Sequence, residues 1–174
     1  MSENKYPYKD RKYDVVSYDP KWPTQFEIYA GRVRKIFGEG VQIEHIGSTA
    51  VPGMSGKSCI DILVLVDSLK TVEDHMREML DVGFEYAGQF VMDDSRLFRV
   101  VKDNTLLANI HFFPKEHSHG REMIRMRDYL RSHPDEVHKY SAIKNELYVK
   151  YVDDYASYRK YKDEYINALI QRIS

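Results

Sequence analysis

Residues 43 to 66 read IEHIGSTAVPGMSGKSCIDILVLV: a strand-like run, a loop rich in glycine and hydroxyl groups, and a second apolar run that carries one carboxylate, Asp61. The near-continuous β-branched and leucine text from Ser58 to Val66 predicts a strand covered on both faces, hence central in its sheet with helices above it. A lone aspartate in such a strand is costly unless its charge has a partner. Asp61 is therefore expected to be either a ligand or a fixed hydrogen-bond acceptor.

The flanking text places this segment in an α+β chain. Residues 12 to 18 read as extended, and Asp19-Pro20-Lys21-Trp22-Pro23 as a turn ending at Thr24, the expected N-cap of a helix that runs to Phe37 and stops at Gly38 and Gly40. Phe26, Tyr29, Val33 and Phe37 recur at helical spacing, and Val41 to Ile46 alternates as a strand. Beyond the central strand the pattern predicts a helix over 69–81, a strand near 84–90, and a hairpin of strands 95–102 and 105–113 turning at Asp103-Asn104. Charged helical text then fills 119–132, 134–151 and 155–172. The expected architecture is a mixed β-sheet backed by helices. It forms one domain over 1–174, with an α/β core at 1–116 and a helical part at 117–174.

Charge narrows the range of partners. With a formal net charge of −1 and acids and bases intermixed, no bulk field draws the chain to DNA or to an anionic membrane, so any anion site has to be local. The polar start MSENKYPYKDRKYD lacks the apolar stretch of a secretory signal, and no run approaches the roughly 18 apolar residues of a membrane helix, so a cytoplasmic location is expected. The single cysteine, Cys59, opens an apolar run and reads as a small buried hydrophobe.

Gly53-Met54-Ser55-Gly56-Lys57-Ser58 has the look of a P-loop but fails its spacing, because position 51 is Val where that motif needs a glycine, and Lys57-Ser58 leads into strand text instead of a helix. Gly47-Ser48-Thr49, at the end of a strand, supplies the backbone N–H groups and hydroxyls of a phosphate cradle; the same text also suits a loop that satisfies its own backbone. Lys57 reads equally as a phosphate counter-charge or a solvated loop residue. Strand alternation puts His45 with Val41 and Ile43, as a hydrogen-bonded structural histidine, and Glu44 on the opposite face. It also groups Asn109, His111 and Phe113 on one face. His117-Ser118-His119 reads as capping text, and the tyrosines of the helical third as packing groups.

Several segments together carry a resemblance. They are Val16-Ser17-Tyr18-Asp19-Pro20-Lys21-Trp22-Pro23, Ile43 through Gly53, Lys57, Ile60-Asp61-Ile62-Leu63-Val64, Arg96, His111, Arg127 through Pro134, Tyr158 and Lys162. The chain resembles the GrpB-like family of the nucleotidyltransferase-like superfamily. That resemblance implies a core like those of enzymes in which a Gly-Ser turn grips a triphosphate and an Asp-x-Asp pair holds divalent metal. Gly47, Ser48 and Asp61 match this pattern, whereas Leu63 stands where the second carboxylate would be, and Asn109-Ile110-His111 stands where the family shows His-x-His. The implied site has Asp61 and His111 as catalytic and metal-binding residues sharing one divalent ion (Mg, Mn or Zn), with Gly47, Ser48, Thr49, Lys57 and Arg96 on phosphate; an alternative chemistry uses Lys57, Arg96 and Arg99 as fixed cations while His45 or His111 moves a proton. The expected ligand is a nucleotide or other phosphorylated small molecule. The expected function is either nucleotidyl transfer to an unknown acceptor or non-catalytic binding as a regulatory module.

Overall fold

The computed structural model describes residues 13–89 and 94–173. Position 12 of the predicted extended segment and position 90 of the predicted strand lie outside them. Strands β1 (Gln42–Ile46), β2 (Ile60–Val66), β3 (Glu85–Gly88), β4 (Arg96–Lys102) and β5 (Thr105–Pro114) form one sheet in the order β1-β2-β5-β4-β3. β2 runs antiparallel to β1 and parallel to β5, and the other pairs are antiparallel, so the sheet is mixed. β3 is short, with a register shift between Tyr86 and Gly88. The α+β class, with a helical C-terminal part, is the one expected from sequence.

The central position of β2 follows from its apolar text. Ile60, Ile62, Val64 and Val66 pack on one face with Trp22, Phe26, Ala30 and Val33 of α1 (Trp22–Phe37). Leu63 and Leu65 pack on the other with Ile46 and Phe113, beneath Met123 and Ile124 of α4 (Ser118–Ser132). Helix α1 begins two residues before the expected Thr24, because Pro23 has a φ already suited to a first turn and lacks an N–H that would go unused there. The helix expected over 69–81 is two short helices, α2 (Leu69–Asp74) and α3 (Met76–Asp81), broken at His75, whose Nδ1 lies 2.8 Å from the Thr71 carbonyl oxygen. At the β4–β5 hairpin, Asp103 and Asn104 have φ of 49° and 59°, the left-handed pair of a type I′ turn. The predicted extended segment before α1 makes one bridge, Val16 to Gly56, with both N–H···O distances at 2.9 Å.

Helices α5 (Pro134–Lys150) and α6 (Tyr155–Ile173) close a second apolar cluster in which Val51 and Met54 of the glycine-rich loop meet Leu130, Val137, Tyr140 and Leu169. The loop is thereby packed onto the helical third of the chain. Helix α4 presses so closely on the sheet that a Cβ at Gly120 would lie 3.1 Å from Leu65 Cδ2 and 3.8 Å from Leu63 Cδ1. Arg127 fixes the other end of that contact, donating through Nη1 to Glu44 at 2.5 Å and to the His45 carbonyl at 3.0 Å. One half of this sheet face is therefore dry, and Leu63 is wholly buried in it. Leu63→Asp would leave a buried charge unpaired, and is expected to lower stability in urea denaturation by about 3 kcal/mol or more.

Candidate functional site

Where α4 ends its contact, the sheet face opens into a cleft of about 490 Å³ between the glycine-rich loop, β2, β4, β5 and the three C-terminal helices. Asp61 and Asn109 are paired neighbours on β2 and β5, and His111 lies two residues along β5 on the same face. Asp61 Oδ1 accepts a hydrogen bond from Asn109 Nδ2 at 2.9 Å and lies 3.6 Å from His111 Nε2. About a third of the Asp61 side chain, 32%, is exposed to the cleft, so the acid is not sealed in hydrocarbon. Burial pushes its carboxyl up, but the His111 ring, the Asn109 amide and the charge of Lys57 outweigh this and hold it below its ordinary value.

Gly47 ends β1 with φ 74°, and a Cβ there would come within 2.8 Å of Asp61 Oδ2. A side chain at this position would meet both backbone strain and the carboxylate, so glycine is what lets the turn approach Asp61. The 3₁₀ turn Ser48–Ala50 follows and carries Ser48 into the cleft. Thr49 also borders the cleft, but its Oγ1 lies 2.9 Å from His45 Nε2, and this contact holds the turn to β1. His45 is stacked on Phe26 with centroids 4.7 Å apart. Burial, then the charge of Arg131, lowers its pKa to about 4, so it is a neutral structural histidine, as alternation indicated. Glu44, on the other face, is held by Arg127.

Lys57 lines the cleft beside Tyr155, with Nζ 2.5 Å from the phenol oxygen and 4.7 Å from the ring centroid. Arg96 does not join the group. Its guanidinium is bound to Glu73 and, at 2.8 Å, to the Ser95 carbonyl, and it does not line the cleft. Strand alternation is the reason: residues three apart face opposite ways, and Arg99, opposite Asn109 in the register, takes the cleft position.

Lys144 is the site residue that sequence reasoning missed. It is 1% exposed, its Nζ donates to Ser48 Oγ at 2.8 Å and to the Ser55 carbonyl, and it lies 4.4 Å from the centroid of Tyr140. Burial, with the nearby charge of Lys162, lowers its pKa to about 7. The signal was present, because Val137, Tyr140 and Lys144 follow helical spacing and place a lysine on the buried stripe of α5. Arg159 and Lys162 of α6 also line the cleft, joined to Asp163 at 3.2 and 2.8 Å. In all, six Lys and Arg side chains and three carboxylates line the cleft, and one of the six, Arg127, is paired with Glu44 and Asp128 outside that lining. His117 caps α4 by accepting from the His119 N–H at 3.2 Å, as the capping text suggested.

These donors do not fit a two-ion centre. Leu63 occupies the second carboxylate position under α4, and among the described residues no three His, Cys, Asp or Glu side chains gather to hold a metal. The Asp61–His111 separation does fit two neighbouring corners of a single ion's shell, and among the described residues no third His, Cys, Asp or Glu joins them.

The sequence matches the family model described as GrpB protein over residues 12–172. UPF0157 protein YqkA of Bacillus subtilis is 31% identical over 91% of this chain and 46% of its own length, and UPF0157 protein BH1888 of Halalkalibacterium halodurans is 34% identical over 76% and 68%. This chain thus spans less than half of the YqkA protein. The crystal structure of conserved protein GrpB from Enterococcus faecalis superposes with a TM-score of 0.81 at 30% identity, covering 92% of this chain and 94% of that one. Cid1 poly(U) polymerase with Mg 3′-dATP bound superposes with a TM-score of 0.57 at 15% identity over 84% and 49% of the two chains, a likeness of fold alone. With the family match running through both the sheet and the helical third, the chain belongs to the GrpB family and has a nucleotidyltransferase-like fold.

Proposed function

We propose that this GrpB-family chain is a cytoplasmic binding protein for a nucleotide or another small molecule bearing linked phosphates, acting as a regulatory module without transfer. The observation that carries this reading is the Lys144 ammonium, held 2.8 Å from Ser48 Oγ at the floor of a cleft that also displays Asp61. Phosphate oxygens would take the N–H groups of the turn after Gly47, the Ser48 hydroxyl and the cations Lys57, Arg99 and Lys144. One divalent ion on Asp61 and His111, whether Mg, Mn or Zn, would neutralise the carboxylate and leave its remaining positions for ligand oxygens. Every other contact in this reading is made by the chain's own side chains and backbone.

Calorimetric titration with ATP and with inorganic triphosphate, with and without each ion, tests the reading. Lys144→Met is expected to weaken binding about tenfold or more, from loss of one charge-assisted contact. Arg96→Gln, on the far face, is expected to leave binding unchanged. A folded sample that binds neither compound at millimolar concentration rules the reading out.

The pH dependence has a definite sign. An anion beside Lys144 raises its pKa from the free value of about 7, so binding takes up a proton above that pH. The Lys144 contribution to affinity is therefore full below about pH 7 and falls by up to about tenfold per unit above it, until the pKa of the bound state is reached. In Lys144→Met this slope should vanish.

Nucleotidyl transfer is the second reading, favoured by the approach of Asp61 to His111 and by the likeness of fold. It predicts metal-dependent turnover of labelled nucleoside triphosphate that Asp61→Asn abolishes with little change in melting temperature. The binding reading predicts ligand-induced stabilisation and no turnover.

A further inference from the structure

Beside the 3₁₀ turn at Ser48–Ala50, next to the cleft that holds Asp61, lies a second cavity of about 350 Å³. Its size falls in the range of roughly 300–1,000 Å³ common for small-molecule sites. Tyr18, Pro23, Pro52, Leu130 and Val137 give it apolar walls. Its polar groups are Arg131, His138 and His45, and among the described residues no acidic side chain lines it. The lining thus joins apolar side chains to one arginine charge.

Arg131 is placed to use that charge. The residue is exposed; its Nε donates to the Ala50 carbonyl at 2.9 Å, which anchors the guanidinium beside the cavity, and its Nη groups make no hydrogen bond among the described residues. A guanidinium with two N–H groups pointing one way matches the two oxygens of a carboxylate. His45 is neutral, with its Nε2 engaged by Thr49 Oγ1, and His138 is exposed at the rim.

We propose that this cavity is a second ligand site, for a small apolar molecule carrying one carboxylate, with the carboxylate on Arg131 and the hydrocarbon against Leu130 and Val137. The site stands on its own lining and does not depend on what the phosphate cleft binds. The two are nevertheless adjacent, since Leu130 borders both cavities and Ala50 is two residues from Ser48. An occupant of the second cavity would therefore touch Ala50, in the turn that carries Ser48.

The test is a titration of isotope-labelled protein with 3-phenylpropionate and, separately, with its uncharged analogue 3-phenylpropanamide, followed by amide chemical shifts. The expected result is saturable shifts at Ala50, Gly53 and Leu130 with the acid, and binding at least tenfold weaker with the amide. Arg131→Gln keeps a donor for the Ala50 carbonyl but removes the charge, and should bring the acid down to the level of the amide. Equal binding of acid and amide to the unsubstituted protein overturns the proposal without reference to any variant. So do shifts confined to Asn109 and His111, or no saturable shift up to the solubility limit.

Discussion

One buried ammonium group ties the two parts of this molecule together. Lys144 reaches from α5 into the loop between β1 and β2, and its charge is met there by the Ser55 carbonyl, the Ser48 hydroxyl and the face of Tyr140. A cation taken out of water is costly unless such partners stand ready, so the loop and the helix specify each other. Val51, Met54 and Tyr140 surround this contact with hydrocarbon, which strengthens it by excluding solvent. The helical third of the chain is thus part of the site's construction.

The same economy governs the sheet. Of the two faces of β2, the one under α1 is apolar along its length, while the other is divided between a dry half at Leu63 and Leu65 and a wet half at Asp61. A single carboxylate at that boundary can be served by Asn109 and His111 and still meet a guest in the cleft. Glu122 and Asp163 also line this hollow, and Asp163 is paired with Arg159 and Lys162.

Periodicity revealed most of the fold. The apolar run of β2, the alternation of β1 and the Asp103-Asn104 turn are local signals, and local chemistry decided them. The break at His75 was less visible, because the text from 69 to 81 is helical throughout and the interruption arises where one residue's ring meets the Thr71 carbonyl. In the site, Gly47, Ser48, Asp61, His111 and Lys57 were readable from spacing and resemblance, and the structure brings them to one cleft. Arg96 was misplaced although alternation separates it from Arg99. Lys144 was passed over because a lysine on a helix is ordinarily solvated, and its burial depends on a loop almost ninety residues away in sequence, at Ser55.

The borders of the sheet have a bearing on how the molecule can associate. Both outer strands are brief: β1 has five residues, and β3 has four with a shifted register. Short and irregular margins offer little continuous backbone for a foreign strand to zip onto. Self-assembly by ribbon extension is thereby discouraged.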